Sequence, residues 1–291
     1  MKRLMLTMAI MAMGTLSAFA QKTLTKEYDF GKITKIEASS IFDIEVTQGN
    51  TKKVTIVYDE IFKERLEITG ILGKLSLDLT DAVFKRDNSK KNAGIKVYLQ
   101  MPTIEEIDLS GASKLKADGV FTTDDLDIEL SGATSVKGLQ AKGSELDIDC
   151  SGASSLQMSA NFKYIDAELS GAAKLTYTGD SQAFNGDFSG AINASFYGDH
   201  KRTEIECSGA TKVAMEGETD YLKAVLSGAC KFSGEKYEAK DAYVEATGAS
   251  NAEVRCTGDL KLMVSRASKL THYGNPNIII VDKDSNIRKG D

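Results

Sequence analysis

The chain has 291 residues, a formal net charge of −6 and no tryptophan. The acidic balance, together with the lack of a basic stripe in the sequence, argues against nucleic acid as a partner. No linker rich in Pro, Gly or Ser divides the chain, so we expect a single domain over residues 21–291.

The first twenty residues have the three parts of a secretory signal peptide. Lys2 and Arg3 supply the charge, residues 4–16 are largely apolar, and Ala18-Phe19-Ala20 is a cleavage site before Gln21. A membrane anchor needs about 20 uninterrupted apolar residues, and no later run is long enough to span a bilayer. We therefore expect residues 1–20 to be removed and the protein to be exported to the periplasm or cell surface, with no membrane span.

Residues 21–100 are predicted to form irregular coils of the same design as the repeats that follow them. Segments 38–40, 58–60 and 80–82 resemble the corners of the later units and lie roughly 20 residues apart. A longer interval precedes residue 110, and we assign the excess to a charged loop at 85–94 that protrudes from one turn.

Nine copies of a Ser-Gly-Ala tripeptide, the last of them degenerate, dominate residues 101–270. Their starting positions are 18 to 21 residues apart, which is typical of one structural unit stacked on the next. The copies begin at Ser110, Ser131, Ser151, Ser170, Ser189, Ser208, Ser227, Thr247 and Ser265.

Each unit reads as a strand, a corner and a second strand. Apolar residues occupy the positions five, three and one before the Ser, as in Leu126, Ile128 and Leu130, and this alternation predicts a strand with one buried face. Gly permits the bend, the following Ala is expected to point inward, and another apolar column lies five residues after the Ser.

The pattern predicts an all-β fold, a single-stranded right-handed parallel β-helix of about 12 coils with repeats of about 19–21 residues. Handedness follows from the bias of parallel crossovers. Regular coils should cover 101–270, and residues 271–291 should cap the C-terminal end. A propeller blade needs about 40 residues, and the signature of a leucine-rich repeat is not present in the sequence.

These units, the amphipathic opening at 33–46 and the closing segment 268–276 with strand-like 278–281 resemble the auto-transporter adhesin head domain, or GIN domain, of exported Bacteroidetes proteins. The resemblance covers nearly the whole mature chain. It implies the fold and an adhesin-like shape, and it provides no catalytic residues to transfer.

The cysteines replace core residues of the repeat. Cys150 and Cys207 each precede a Ser-Gly-Ala corner and lie three units apart, which at ~4.8 Å per strand separates them by about 14 Å, beyond disulfide reach. Cys230 and Cys256 occupy other columns. We expect four buried or semi-buried free thiols.

An acidic face is the strongest candidate for a functional site. It comprises the outward residues four and two positions before the Ser in six consecutive units, which include eleven carboxylates and one amide and which should repel one another along the stack. These residues are Glu106, Asp108, Asp127, Glu129, Asp147, Asp149, Asp166, Glu168, Asn185, Asp187, Glu204 and Glu206.

Two interpretations of the acidic face stay open. Its central carboxylates could hold Ca²⁺, which takes six to eight oxygen ligands. Alternatively, the face is solvated charge that resists aggregation. We favour the second, with no bound cofactor, because no calcium-loop spacing occurs. The candidate ligands are Asp127, Glu129, Asp147, Asp149, Asp166 and Glu168. The compensating cations across the corner would be Lys114, Lys174, Lys212 and Lys231.

Other reactive residue types have simpler explanations. The Ser column should serve corner hydrogen bonding, because no base accompanies each copy. His200 and His272 are isolated and are expected to be exposed turn residues. Four tyrosines lie in different columns, where packing or surface roles are expected: Tyr164, Tyr177, Tyr197 and Tyr221.

The sequence therefore favours an exported, non-catalytic, adhesin-like binding module whose partner is a cell-surface glycan or protein. One alternative is a carbohydrate-active enzyme, similar to polysaccharide lyases or hydrolases, that uses the acidic face with a divalent cation. Such an enzyme needs a local break in the repeat, and the units are most regular where a site should stand. The other alternative is a structural envelope protein without a ligand. Oligomeric state is left open.

Overall fold

The computed structural model describes residues 22–80, 94–265, 267–280 and 286–290. The predicted signal peptide lies outside the described residues, as does the charged loop 85–94 apart from Gly94. Helices long and apolar enough to cross a membrane do not occur in these described ranges.

The described part of the N-terminal region contains seven strands and one 3-10 helix at Glu60–Phe62. The strands are β1 (Thr23–Asp29), β2 (Lys35–Ala38), β3 (Phe42–Gln48), β4 (Lys53–Asp59), β5 (Leu66–Ile71), β6 (Lys74–Leu79) and β7 (Ile95–Met101).

The repeat region and the C-terminal segment contain the other described strands. These are β8 (Glu106–Leu109), β9 (Lys114–Asp118), β10 (Val120–Thr122), β11 (Asp125–Leu130), β12 (Ser135–Cys150), β13 (Ser155–Leu169), β14 (Lys174–Thr178), β15 (Ser181–Phe188), β16 (Asn193–Tyr197), β17 (His200–Cys207), β18 (Lys212–Leu226), β19 (Lys231–Ala246), β20 (Asn251–Cys256), β21 (Asp259–Val264), β22 (Lys269–Tyr273), β23 (Asn277–Ile280) and β24 (Asn286–Lys289).

The chain forms a parallel β-solenoid, as predicted, in which each strand pairs with the equivalent strand one unit later. In β12 and β13, for example, Leu146 lies opposite Ile165 and Cys150 lies opposite Leu169. The predicted apolar columns are buried in a continuous core. In the segment predicted as a cap, β23 and β24 pair in parallel with β21 and β22 and continue the stack.

The stack has about nine turns, so the expected count of 12 was wrong. The coil formed by β2 and β3 lies between the β6–β7 coil and the β8–β9 coil, and the stacking order therefore departs from the chain order. Strand β4 runs antiparallel to β1 and β7, and β5 runs antiparallel to β6. The predicted corner at 58–60 is instead the end of β4, where the Asp59 side chain accepts the N–H of Ile61 and begins the 3-10 helix.

The Ser-Gly-Ala corners stack directly on one another through their glycines. Gly171 has φ +74°, and a Cβ added there would lie 2.7 Å from the carbonyl oxygen of Gly152. The Ala172 N–H donates to the same carbonyl oxygen at 2.7 Å. The corner is therefore closed by backbone contact between coils, which leaves no room for a side chain on the glycine.

The corner Ala does not point inward as expected, because the residue after it does. Ala112, Ala133 and Ala153 are exposed. The next position is buried in every unit and is occupied by Ser113, Thr134, Ser154, Ala173, Ile192, Thr211, Cys230, Ser250 and Ser268. Where this residue carries a hydroxyl, a bond back to the corner can satisfy it, as in Thr211 Oγ1, which donates to the Ser208 carbonyl at 2.8 Å.

All four cysteines are buried and free, as predicted. Cys150 and Cys207 occupy the core column before the corner, and burial raises the pKa of the Cys150 thiol to about 12. Cys230 lies in the column after the Ala, where its thiol donates to the Ser227 carbonyl at 2.9 Å. These thiols are therefore core residues with little thiolate character at neutral pH.

Candidate functional site

The structure places the acidic face on the outer surface of one sheet, with its carboxylates in two parallel columns. Asp147 lies in register between Asp127 and Asp166, and the neighbouring column continues from Asp149 to Glu168. Successive strands of a sheet are about 4.8 Å apart, so each carboxylate has others above and below it. The predicted register of all six units is confirmed.

Burial and electrostatic repulsion both raise the pKa values of carboxylates in the middle of this face. Partial burial raises the pKa of Asp127 and Asp166, and the adjacent Asp147 carboxylate raises both further. The pKa of Asp108 and of Glu129 is raised for the same two kinds of reason, burial first and neighbouring carboxylates second. The central carboxylates therefore hold their charge at a cost.

Basic side chains close the N-terminal end of the face. Lys35 Nζ lies 3.2 Å from Glu106 Oε2, and Lys74 Nζ lies 2.5 Å from Glu106 Oε1. Burial alone would raise the pKa of Glu106, but hydrogen bonds from the two lysines lower it. The column that contains Glu106 and Asp127 is called the outer acidic column. Lys35 and Lys74 occupy its position in the next two coils.

The C-terminal end of the face is closed in the same way. Arg202 Nη2 lies 2.7 Å from Glu204 Oε1, and Lys223 Nζ lies 3.0 Å from Glu206 Oε1. Lys223 occupies the position of the outer acidic column in the next coil, opposite Glu204. Cations thus pair with the first and last rungs of the acidic face and leave the four rungs between them without an ion pair in the part of the chain that the structure describes.

The predicted compensation across the corner was wrong. Within the described ranges, none of the four lysines proposed for it lies within 4.0 Å of a carboxylate. They belong to a column on the other sheet, beyond the exposed Gly-Ala ridge, where Lys174 lies between Ser155 and Asn193. The corner turns the two columns away from each other, which spacing along the sequence does not reveal. The four lysines are Lys114, Lys174, Lys212 and Lys231.

The six candidate calcium ligands line a shallow groove of about 330 Å³ on this face. They stand as two straight columns, and the described residues contain no group of three or more Asp, Glu, His or Cys side chains arranged to hold a metal ion. Calcium binding by these columns stays a hypothesis, which a melting experiment can test.

Both histidines are buried, so the expectation of exposed turn residues was wrong. His200 lies on the inner side of β17, in register with Ser181 and Thr219, and His272 lies on the inner side of β22, opposite Val254. Their isolation in the sequence carried no information about burial. The alternation of β22, in which Leu270 is also buried, was the signal for His272. The alternation of β17 could not have shown the burial of His200, because the buried Thr203 is in phase with Lys201, which is exposed.

The tyrosines do not form an open platform for sugar rings. Tyr177 is fully buried and donates to the Ala160 carbonyl at 2.6 Å. The guanidinium of Arg202 lies over the ring of Tyr221, 4.7 Å from its centroid. Tyr243, which the sequence analysis did not single out, has Lys261 Nζ at 5.7 Å from its centroid. These cations cover one face of each of the last two rings. Tyr164 and Tyr197 are exposed but lie on different sheets.

The sequence of this solenoid matches the family model described as "Putative auto-transporter adhesin, head GIN domain" over residues 32–179 and 177–276. The chain belongs to this family. The resemblance to the GIN-domain family that the repeats indicate is therefore confirmed. No protein of curated function matches the sequence.

Several solved structures that match this chain come from Bacteroidetes. A putative adhesin from Parabacteroides merdae and one from Parabacteroides distasonis are each 14% identical to this chain with a TM-score of 0.50, and the alignments cover 93% and 92% of this chain and 97% of each of theirs. A putative adhesin from Bacteroides fragilis is 16% identical, with a TM-score of 0.36, over 93% of this chain and 94% of its own. At this identity the likeness to the two Parabacteroides structures shows the fold alone.

Proposed function

We propose that this GIN-domain protein is an exported, non-catalytic, adhesin-like module that contacts a cell-surface partner through its acidic face. The observation that carries the proposal is the unpaired middle of that face, four rungs of carboxylates between two basic ends. A partner that presents positive groups would relieve their repulsion on binding, and complementary charge of this kind speeds association and selects the partner.

Three further facts support a binding role. The family description names an adhesin head domain, and two neighbours of similar fold are named as adhesins. The leader-like first twenty residues are consistent with export to the periplasm or cell surface. The parallel register holds every rung of the face at the same spacing, so a partner would meet a rigid, extended surface.

Binding to whole cells tests the proposal. Fluorescent beads coated with residues 21–291 are counted on cultured epithelial cells and on intact bacteria. The matched variant neutralises four carboxylates of the acidic face through the substitutions Asp147→Asn, Asp149→Asn, Asp166→Asn and Glu168→Gln. We expect binding by the native protein that weakens with added NaCl and falls about tenfold or more in this variant, a change of 1.4 kcal/mol or more.

A control variant makes the same charge change elsewhere, at exposed carboxylates outside the acidic face: Asp118→Asn, Asp124→Asn, Glu216→Gln and Glu235→Gln. It should bind like the native protein. Equal loss in both variants would show that net charge, and not this face, controls binding. Protease or glycosidase treatment of the cells separates a protein partner from a glycan, and failure to bind any cell would favour the structural alternative.

A further inference from the structure

His200 lies in the core at the second bend of the solenoid, where the chain returns to begin the next unit. Its side chain is 2% exposed. Nδ1 is hydrogen-bonded to Ser181 Oγ at 2.8 Å, and the ring centroid lies 5.5 Å from that of Phe184 and 6.3 Å from that of Tyr237. Nε2 is buried and has no hydrogen-bond partner among the described residues.

Two aspartates next to this ring hold the bend together. The Asp199 N–H donates to Asp180 Oδ1 at 2.9 Å, and the Glu218 N–H donates to Asp199 Oδ1 at 2.9 Å. Asn161 begins the same ladder, because its Oδ1 accepts the Asp180 N–H at 3.0 Å. Each of these side chains therefore ties the bend of one coil to the bend of the next.

A hollow of about 390 Å³ lies on the outside of this bend, and His200 is among the residues that line it. Its charged lining comprises five carboxylates and two ammonium groups, which come from the bends before β15 and β17, from β17 itself, and from β18 and β19. These residues are Asp180, Asp199, Lys201, Glu218, Asp220, Glu238 and Lys240. The neutral groups that pack on the imidazole are the Ser181 hydroxyl and the rings of Phe184 and Tyr237.

We propose that His200 and the acidic hollow beside it form an acid-sensitive switch, in which protonation of His200 opens the second bend of the solenoid. The neutral imidazole suits its place between Phe184 and Tyr237. An imidazolium there would be a buried charge with one polar contact, which is unstable unless it finds further partners. The carboxylates of Asp180 and Asp199 are the nearest acidic partners, and they are the groups that hold the bend.

The electrostatics agree with this geometry. Burial lowers the pKa of His200 to about 4, while Asp180 and Asp199 raise it by a smaller amount. In an open bend the ring reaches water, where a histidine pKa is about 6.5. Because the open form then binds the proton more tightly, the equilibrium constant for opening should rise up to about tenfold per pH unit between pH 6.5 and 4.

Hydrogen exchange of the backbone amides, followed by NMR from pH 7.5 to 4, tests the switch in residues 21–291. Exchange rates are corrected for the intrinsic effect of pH. We expect the protection of the Asp199 and Glu218 amides to fall about tenfold per pH unit below pH 6.5, while the Ala172 amide at the first corner stays protected. Constant protection at Asp199 and Glu218 down to pH 4 would overturn the proposal.

Two variants assign the effect to the proposed groups. His200→Thr introduces the residue type that Thr219 supplies at the same register one coil later, and it should remove the pH dependence. Asp199→Asn keeps the ladder acceptor, as Asn161 does, and removes a charge that raises the pKa of buried His200. That pKa should therefore fall further in the closed bend, so opening should begin at the same pH and be at least as extensive at pH 4 as in the native protein. His272→Val, at the other buried histidine, should behave like the native protein. An unchanged pH dependence in His200→Thr would overturn the proposal, and if that variant does not fold, the native titration together with Asp199→Asn decides it.

Discussion

The stacking of the Ser-Gly-Ala corners predicts that Gly171→Ala lowers the free energy of unfolding by about 2–4 kcal/mol. The left-handed backbone at φ +74° costs a side chain about 1–2 kcal/mol. The new Cβ would also lie 2.7 Å from the Gly152 carbonyl oxygen, closer than real Cβ atoms approach, so one coil must shift against its neighbour. Urea unfolding followed by far-UV circular dichroism measures the effect.

Two other glycines separate the two contributions. Gly31 has φ +76° with nothing within 4 Å of an added Cβ, so Gly31→Ala should cost only the backbone term, about 1–2 kcal/mol. Gly94 has an ordinary φ and open space, so Gly94→Ala should be neutral or stabilise by up to about 1 kcal/mol. Equal losses for Gly171→Ala and Gly31→Ala would refute the close contact between stacked corners.

Three more outcomes follow from the acidic face and the core. The double variant Asp149→Asn with Glu168→Gln should have an equal or higher melting temperature than the native protein. On the native protein, calcium should act like NaCl of equal ionic strength. A calcium-specific rise in melting temperature that the double variant abolishes would instead support a metal site. Because the pKa of Asp127 is raised in the folded state, its contribution to stability should increase as the pH falls through that pKa. Melting curves between pH 7 and 4 should therefore show a smaller gain in stability on acidification for Asp127→Asn than for the native chain. All four thiols should resist alkylation in the native protein and take label after denaturation without reductant, whereas a bridge between Cys150 and Cys207 would contradict the stacking order.

The repeat determines much of the fold because it records contacts between equivalent positions. The buried alternation in Leu126, Ile128 and Leu130 and the fixed interval between glycines together predict the parallel register. The same alternation occurs in β4, where the buried Tyr58 lies in an antiparallel strand. A period of two shows which side of a strand is buried and does not show the direction of its neighbour, so the order of the N-terminal coils could not be predicted.

The candidate site could also be predicted only in part. The carboxylate columns follow from the register, and so does Lys223, which lies four positions before Ser227 and opposite Glu204. The position of Lys174 depends on how sharply the corner turns, and the corner places it on another surface. His200 was missed because isolation in the sequence was taken as a sign of exposure. Its burial depends on the polar partner Ser181 one coil away, which only the stacking reveals.

Carboxyl footprinting on cells tests the central claim most directly. Residues 21–291 are labelled with a carbodiimide-coupled amine, free and while bound to the cell surface, and the modified carboxylates are identified by mass spectrometry. The account predicts that labelling of Asp147, Asp149 and Asp166 falls on binding while that of Glu216 and Glu235 does not change. Binding that protects Glu216 and Glu235 and leaves the acidic face fully labelled would contradict it.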